Sequence, residues 1–288
     1  MRSEIEIITS ANNEYITPLK VMLHSLGNSL HPDQHATVRV LTFGIDANNE
    51  ERLVSGLSHL PLSVQIVKID SVFLEGLKIS GHVSGETYLR LLSPRVFPHL
   101  SKALYLDADI LIRHSIHELY ANSIDGAHLL AVPHVSRLSA FFGAERGVPS
   151  FHLLGIPPTT RTFNAGVMLL NLRLWRETGT TERVLRYLRD YKEHVLWWDQ
   201  DGLNAVLHNS WRALPPKWNV MTSHFANFRS WEDSMLDEAT FRAVLEDPAI
   251  VHFSYVPKPW QPEYDGPFGV LWRETCKEIT QNMRDVAS

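Results

Sequence analysis

The chain has 288 residues, of which 44% are hydrophobic and 20% are charged, and its formal net charge is -5 with a pI of about 6.3. This composition is typical of a globular protein with a sizeable core, and the acidic balance argues against nucleic acid or an anionic membrane surface as the main partner. Since Cys276 is its one cysteine, the chain can form neither an internal disulfide nor a cysteine-rich zinc site.

The sequence also carries no signal for membrane insertion or export. No run of about 18 apolar residues occurs, so a membrane-spanning helix is not predicted. Glu4 and Glu6 stand where a signal peptide carries cations, and no apolar h-region follows them. We therefore expect a cytoplasmic protein, bound at most peripherally to the inner face of a membrane. The sequence does not indicate an oligomeric state.

Strands and helices alternate along the first part of the chain. Apolar and alternating runs predict a fourth strand that delivers Asp107, after three strands at residues 5–9, 38–42 and 64–69. Helical spacing predicts a helix after each of these three, and the third helix, through Tyr88, should end near Pro94. This order is typical of an α/β fold with a mainly parallel sheet, in which ligands bind at the carboxyl ends of the strands.

The rest of the chain is predicted to be less regular. Residues 133–160 contain four prolines and three glycines and show no periodicity, which is typical of a lid or another functional loop. Regular structure should resume with strands at residues 163–172 and 249–252 and with helices at residues 181–191 and about 266–285.

The apolar run of residues 103–112 is interrupted by Asp107 and Asp109. If the run is a strand, residues i and i+2 project from the same face, so the two carboxylates would lie side by side. Carboxylates in an apolar strand repel each other and resist desolvation unless a hard divalent cation binds between them. The alternative interpretation is a strand that ends in an aspartate-rich turn.

Two later segments offer a possible ligand and a possible cation. His252 ends a short apolar segment, where it could be a metal ligand or a hydrogen-bonded core residue. Lys258 stands between Pro257 and Pro259, whose rings stiffen the backbone. Such a lysine suits a cation that must meet a phosphate in a fixed place, and the alternative is an ordinary proline-rich surface turn.

Two further segments offer polar groups beside small residues. Asp199 and Gln200 open a helical pattern, where Asp199 could contact a substrate or act as an N-cap. Asn164, Ala165 and Gly166 precede a buried strand, and their small size could allow a close backbone approach to a ligand. The alternative for this segment is a plain entry into the strand.

Taken in order, these motifs closely resemble the family 8 glycosyltransferases, which include bacterial lipopolysaccharide galactosyl- and glucosyltransferases and glycogenin. The resemblance covers about residues 5–260 and is carried by Tyr88-Leu89-Arg90, Leu104-Tyr105-Leu106-Asp107-Ala108-Asp109, Phe163-Asn164-Ala165-Gly166-Val167, Asp199-Gln200-Asp201, and His252 with Lys258-Pro259-Trp260. It implies a GT-A fold, a UDP-glucose or UDP-galactose donor, Mn²⁺, and transfer with retention to a glycan, a lipopolysaccharide-like molecule or another hydroxyl acceptor.

The resemblance also implies roles for individual residues. The metal ligands would be Asp107, Asp109 and His252, and the imidazole favours Mn²⁺ somewhat over Mg²⁺, although Mg²⁺ stays possible. The catalytic residues would be Gln200, Asp199 and Lys258, the last of them at the diphosphate. The implied donor-binding residues are Thr9, Ala11, Asn12, Tyr15, Arg90, Asp107, Ala108, Asn164, Ala165, Asp199, Gln200, Tyr255 and Lys258.

The implied domain organisation is one Rossmann-like nucleotide-sugar-binding domain over residues 1–288, since no linker, internal repeat or low-complexity tract divides the chain. Its donor-binding half would lie at about residues 1–112. Acceptor or lid elements would lie at about residues 133–160 and 221–247, before the C-terminal helix.

Three positions depart from the pattern of the family. Asn12 stands where an aspartate usually contacts uracil, and unlike an aspartate it can donate as well as accept. Tyr255 stands where a glycine usually lies near the diphosphate, and His134 stands where relatives often have an acidic residue near the donor sugar. The sequence therefore does not rank glucose against galactose.

Two other functions are alternatives. A sugar-1-phosphate nucleotidyltransferase would require a glycine-rich, basic phosphate loop after the first strand, but residues 9–15 contain no glycine, lysine or arginine. A non-catalytic nucleotide-sugar-binding module is disfavoured by the full set of Asp107, Asp109, His252 and Lys258.

Overall fold

The computed structural model describes residues 3–80, 84–254 and 256–287. In these ranges the strands are β1 (Ser3–Ser10), β2 (Gln34–Thr42), β3 (Leu62–Lys68), β4 (Ala103–Leu106), β5 (Ile110–Ile112), β6 (Leu129–Pro133), β7 (Phe163–Leu170), β8 (Trp211–Ala213), β9 (Val220–Met221) and β10 (Ile250–His252). The α-helices are α1 (Ile16–Ser29), α2 (Ala47–Val54), α3 (Ser93–Val96), α4 (His117–Ala121), α5 (Leu172–Glu177), α6 (Thr180–Asp190), α7 (Trp198–Leu207), α8 (Thr222–Phe225), α9 (Glu238–Glu246) and α10 (Gly269–Ala287).

The strands form a large sheet and a small one. The large sheet has the order β3-β2-β1-β4-β7-β6-β8, in which β3, β2, β1 and β4 are parallel and β7 is antiparallel to both of its neighbours. The small sheet has the order β5-β10-β9, with β10 antiparallel to β5 and parallel to β9. The predicted α/β class with a mainly parallel central sheet is therefore confirmed.

The period of two along the strands divides the apolar residues between two cores. On β1, Ile7 packs in the core that includes Leu19 of α1, whereas Ile8 packs in the core on the other face of the sheet. On β4, Leu104 faces the first core and Tyr105 faces the second. The sheet is thus covered on both faces, as the alternation of strands and helices predicted.

The helix predicted to end near Pro94 is built differently. Residues Gly85–Leu92 form a 3₁₀ helix, and α3 follows directly with Pro94 in its first turn. A proline has no N–H to lose there, because the first turn of a helix leaves its N–H groups without intrahelical partners. The helical segment through Tyr88 thus ends at Leu92, close to the predicted place, but it is a 3₁₀ helix, and Pro94 lies in the first turn of the helix that follows.

Residues 133–160 have little regular structure, as predicted, but they are anchored to the core. A single 3₁₀ turn, Pro149–His152, is described within them. Phe142 and Val148 are buried in the same core as Tyr105. A bridge between Phe141 and Arg161 ties the segment to its own C-terminal end. Its role as a lid or acceptor element stays a prediction.

The last helix, α10, spans Gly269–Ala287, close to the helix predicted at about residues 266–285. Its residues Trp272 and Ile279 pack with Val21 of α1 and with Val251 of β10. None of the helices in the described ranges combines the length and the apolar character that crossing a bilayer requires.

Candidate functional site

A cleft of about 740 Å³ opens at the carboxyl ends of β1 and β4. This size suits a small-molecule site, since such pockets are about 300–1,000 Å³. Ser10 lines it from the end of β1, and Asp107 lines it from the position directly after β4. Asn164 lines it from the start of antiparallel β7, which meets the same edge of the sheet. The predicted position of the site is therefore the position of the cleft.

Asp107 and Asp109 lie in a turn and not in a strand. β4 ends at Leu106, and β5 begins at Ile110 in the other sheet, so the argument from the face of a strand is wrong. The turn is fixed by its neighbours instead, because the N–H of Asp107 donates to the carbonyl oxygen of Gly166 over 2.8 Å. The carboxylate oxygens of Asp107 and Asp109 nevertheless lie close to each other.

His252, at the end of β10, completes the cluster. Its Nε2 lies 3.6 Å from Oδ2 of Asp107 and 3.4 Å from Oδ1 of Asp109. Among the residues that the structure describes, these three form the one group of such side chains that could hold a metal ion, with their ligand atoms within 4.8 Å of one another. The predicted ligands are brought together.

The hydrogen bond on the other side of the ring shows that this donor set fits a cation. Nδ1 of His252 lies 3.0 Å from Oδ1 of Asn219, and an amide oxygen can only accept. Nδ1 must therefore carry a proton, and in the neutral ring the lone pair of Nε2 then faces the two carboxylates. One imidazole nitrogen and two carboxylate oxygens are a donor set that suits a divalent ion.

Gly166 makes room for the cluster. A Cβ atom at this position would lie 2.3 Å from Cε1 of His252 and 2.7 Å from Oδ2 of Asp107. The small residues at the start of β7 predicted that the backbone approaches a ligand closely. In the structure, the backbone of Gly166 approaches His252 and Asp107, two of the candidate metal ligands.

Lys258 lines the cleft and is 7% exposed. Its Nζ lies 2.6 Å from Oδ2 of Asp109 and donates to the carbonyl oxygen of Phe253 over 2.6 Å. Burial alone would raise the pKa of Asp109, but the positive charge of Lys258 opposes it most strongly, and that pKa lies below its usual range. The lysine is therefore a fixed, buried cation beside the metal cluster.

Arg90 is buried between two carboxylates. Its Nη2 lies 3.0 Å from Oδ1 of Asp107, and its Nε lies 3.0 Å from Oδ2 of Asp199. Nη1 donates to the carbonyl oxygen of Ala165 over 2.5 Å, and the guanidinium lies over the ring of Tyr105. Burial would lower the pKa of Arg90, but the two carboxylates outweigh it and raise that pKa. Arg90 thus joins the cluster to the start of α7.

Asp199 does not cap α7. Its Oδ1 accepts a hydrogen bond of 2.7 Å from the hydroxyl of Thr87, and burial raises its pKa although Arg90 and Thr87 oppose the rise. Asp201 binds the backbone before the helix instead. Its Oδ2 accepts hydrogen bonds from the N–H groups of Leu196 and Trp197. Of the two interpretations of Asp199, the N-cap is excluded and the place in the cleft is kept.

Gln200 is held with its amide oxygen turned inward. Oε1 accepts from Nδ2 of Asn164 over 2.9 Å and from the N–H of Ala165 over 3.1 Å. Its Nε2 lies 3.3 Å from Nε2 of His134. Burial is the main reason why the pKa of His134 lies well below its usual range. The amide group of Gln200 therefore presents its nitrogen side to the cleft.

The other predicted donor residues are distributed as follows. Ala11, Asn12, Tyr15, Ala108 and Ala165 line the cleft. Thr9 is buried in β1 and is not among the residues that line the cleft, and Tyr255 lies outside the described residues.

Among the side chains that were not predicted from the sequence, three support or adjoin predicted site residues. Thr87 and Asn219 support Asp199 and His252 through the hydrogen bonds described above, and His224 lines the cleft beside His134, with ring centroids 5.4 Å apart. None of them belongs to a sequence pattern that indicates a site, because their partners come from distant parts of the chain.

Comparison with known proteins shows the family and the fold of the chain. Residues 6–263 match the family model described as Glycosyl transferase family 8. The chain is similar to General stress protein A of Bacillus subtilis strain 168, with 25% identity over 268 residues, which are 92% of this chain and 90% of that protein. It is also similar to lipopolysaccharide 1,2-glucosyltransferase of Escherichia coli, with 30% identity over 200 residues, which are 68% of this chain and 56% of that protein.

The fold is similar to that of the crystal structure of galactosyltransferase LgtC in complex with donor and acceptor sugar analogs. The TM-score is 0.80 and the identity is 24%, over 96% of both chains. This likeness shows the GT-A fold.

Proposed function

The chain belongs to glycosyl transferase family 8, as its motifs predicted, and from that premise we propose that it transfers glucose or galactose from a UDP-sugar to a hydroxyl group of a glycan or lipopolysaccharide-like acceptor. The transfer would depend on a divalent metal ion, Mn²⁺ before Mg²⁺, and would retain the anomeric configuration. The reaction would take place in the cytoplasm or at the inner face of the membrane.

The cluster of Asp107, Asp109 and His252 on the wall of the cleft carries this proposal. The anomeric C–O bond to the diphosphate breaks with its electron pair on the phosphate oxygen, so negative charge grows there. A divalent ion held by these three residues would stabilise that charge. The acceptor oxygen forms the new bond to the anomeric carbon, and the proton of the acceptor hydroxyl passes to the leaving phosphate.

Lys258 is proposed as the second group that meets the diphosphate. It is buried and already fixed by Asp109 and Phe253, so it needs no reorganisation when charge develops. A cation that acts where charge grows stabilises the transition state more than the bound donor, and this difference raises kcat.

Asp199 and Gln200 are proposed to surround the transferred sugar. Asp199, held by Arg90 and Thr87, would accept hydrogen bonds from sugar hydroxyl groups. The amide of Gln200 has its oxygen occupied by Asn164 and Ala165 and would offer N–H donors. This geometry favours attack on the face that UDP leaves over a covalent intermediate on the oxygen of Gln200.

The two ends of the cleft suggest where donor and acceptor bind. The donor would lie against residues of about 1–112, where Asn12 and Tyr15 line the cleft. The acceptor would lie against the predicted elements 133–160 and 221–247, which contribute Leu138, Arg146 and His224 to the lining of the cleft.

Turnover assays with purified protein test the proposal. We expect release of UDP from UDP-glucose or UDP-galactose in the presence of Mn²⁺, and no release by the Asp109→Asn variant with an unchanged circular dichroism spectrum. Calorimetry with Mn²⁺ should show UDP bound more tightly than GDP or ADP. Full activity of Asp109→Asn would contradict the metal assignment. Pyrophosphate formed from UTP and a sugar 1-phosphate would instead identify a nucleotidyltransferase, and binding without either reaction would identify a binding module.

A further inference from the structure

Asn219 is a buried amide beside the candidate metal ligands, with 4% of its surface exposed. It follows the 3₁₀ turn Pro216–Trp218 and immediately precedes β9. β9 is parallel to β10, and Met221 pairs with His252, so the main chain places the two side chains close together. Asn219 is not among the residues that line the cleft.

The side chain of Asn219 joins the two halves of the site. Its Oδ1 accepts from Nδ1 of His252 over 3.0 Å, and its Nδ2 donates to Oδ1 of Asn164 over 2.8 Å. Asn164 in turn donates from Nδ2 to Oε1 of Gln200 over 2.9 Å. A continuous chain of side-chain hydrogen bonds therefore runs from a candidate metal ligand to a candidate catalytic residue.

The direction of this chain is fixed by two backbone donors. The N–H of Gly166 donates to Oδ1 of Asn164 over 2.9 Å, and the N–H of Ala165 donates to Oε1 of Gln200 over 3.1 Å. A backbone N–H can only donate, so both amides must turn their oxygens towards these groups. Asn219 must then offer its nitrogen to Asn164, which leaves its oxygen for His252.

From this polarity we infer that Asn219 is a positioning residue that acts on both halves of the site. It holds the proton of His252 on Nδ1, so that the lone pair of Nε2 faces Asp107 and Asp109, and through Asn164 it fixes the amide of Gln200. The inference rests on the proposed function, which gives the metal to His252 and the sugar to Gln200.

Loss of Asn219 would shift the tautomer equilibrium of His252. Nδ1 would face no acceptor, whereas Nε2 lies 3.4 and 3.6 Å from carboxylate oxygens that accept well. The Nε2-protonated tautomer would then be favoured, and in that tautomer the lone pair that a cation needs points away from the carboxylates. Residues that orient a histidine ligand in this way change metal affinity about 10–100-fold when they are replaced.

Two variants separate the two actions. Asn219→Leu removes both hydrogen bonds, so it should weaken Mn²⁺ binding about 10–100-fold, measured by the loss of the free Mn²⁺ signal in electron paramagnetic resonance. Asn219→Asp can still accept from Nδ1 of His252 but cannot donate to Asn164. It should therefore leave Mn²⁺ affinity within about threefold of the wild type and lower kcat about tenfold or more at unchanged KM.

Asn171 provides the matched control. It is also buried, it caps α5 by accepting from the N–H of Leu174, and it donates to the carbonyl oxygens of Ile124 and Ala127. Asn171→Leu should lower the melting temperature as Asn219→Leu does, but it should leave Mn²⁺ affinity and kcat unchanged. A similar loss of Mn²⁺ affinity in the two leucine variants would mean that Asn219 acts on the fold alone.

A readout without metal, donor or turnover completes the test. In ¹⁵N-histidine spectra of the metal-free protein, recorded at a pH high enough for the ring to be neutral, His252 should carry its proton on Nδ1 in the wild type and in Asn171→Leu, and on Nε2 to a large extent in Asn219→Leu. The same tautomer in all three proteins would overturn the inference. If no UDP-sugar is turned over but the tautomer shifts as expected, the proposed function fails and the positioning role of Asn219 stands.

Discussion

The ammonium nitrogen of Lys258 lies 2.6 Å from Oδ2 of Asp109, and both side chains are buried. The pair links the metal cluster to the segment that follows β10, although the two residues are 149 positions apart in the sequence. Since this cation is held by the fold, it is in place before any charge develops on a departing diphosphate. Its loss should therefore affect the chemical step.

Replacement of Lys258 by alanine should lower kcat by about 10²-fold or more, which is the scale of losing one electrostatic stabiliser. Mn²⁺ affinity should not weaken, because Asp109 loses a competing cation and the bound metal ion would itself keep the carboxylate ionised. Lys217→Ala is the control, since Lys217 forms an ion pair with Glu118 at the surface, where such pairs contribute little. Steady-state kinetics with a UDP-sugar would measure the effect, and a change confined to KM would assign Lys258 to donor binding in the ground state.

Gly166→Ala should destroy the metal site while leaving most of the fold in place. The added Cβ would lie 2.3 Å from Cε1 of His252 and 2.7 Å from Oδ2 of Asp107, and neither group can retreat without leaving the cluster. We expect loss of measurable Mn²⁺ binding and a fall in activity of about 10²-fold. Gly44→Ala is the matched control, because the nearest atom to its Cβ would be the flexible end of Lys68 at 3.9 Å. Normal Mn²⁺ affinity in Gly166→Ala would contradict the described geometry.

Much of the fold could be predicted because its signals are local. The strand at residues 38–42 and the helix at residues 181–191 were found from periodicity alone, and they correspond to β2 and α6. The prediction that the apolar run around Asp107 is one strand was wrong for a physical reason. β4 and β5 are both buried and stand close together in the chain, but they belong to different sheets, and burial looks the same in sequence for one strand or two.

The site could be predicted only where residue type itself reveals the chemistry. Asp107 and His252 are unusual in apolar segments and therefore conspicuous. Asn219 is not, because its partners His252 and Asn164 lie 33 and 55 positions away, and a lone asparagine after a tryptophan has many ordinary explanations. The hydrogen bond between Thr87 and Asp199 spans 112 positions and was missed for the same reason.

Asp201 predicts a pH dependence of stability. Burial raises its pKa from 3.8 to about 7, although the N–H groups of Trp197 and Leu196 oppose the rise. At a pH between these two pKa values, Asp201 holds a proton in the folded protein that it has lost in the unfolded chain. The free energy of unfolding contributed by this group therefore falls as the pH rises from about 4 to about 7. Above about pH 7 the folded state carries the full cost of a buried, ionised carboxylate.

Asp201→Asn removes this cost and should keep both backbone hydrogen bonds, because the amide oxygen can take the place of Oδ2. We expect the variant to be about 1–3 kcal/mol more stable than the wild type near pH 8.5 and within about 1 kcal/mol of it near pH 5, from urea unfolding at the two pH values. A difference between the two proteins that does not change with pH would show that Asp201 keeps an ordinary pKa.

The segment of residues 133–160 should respond to ligands in one part only. Phe142, Val148 and Ile156 are already buried. The backbone amides around Val148 and Ile156 should therefore exchange hydrogen slowly with or without ligand. Leu138 and Arg146 instead line the cleft, where the N–H of Arg146 donates to the carbonyl oxygen of Leu138 over 2.7 Å.

If this part closes over the donor, UDP with Mn²⁺ should slow exchange in residues 136–146 about tenfold and leave residues 149–156 unchanged. Closure of this kind would exclude water from the activated sugar and complete the acceptor site. Hydrogen exchange with mass spectrometry measures both stretches in one experiment, and Asp109→Asn with the same ligands serves as the control without metal binding. Equal protection in the free and bound protein would make the segment a static wall, and the acceptor site should then be sought in residues 221–236.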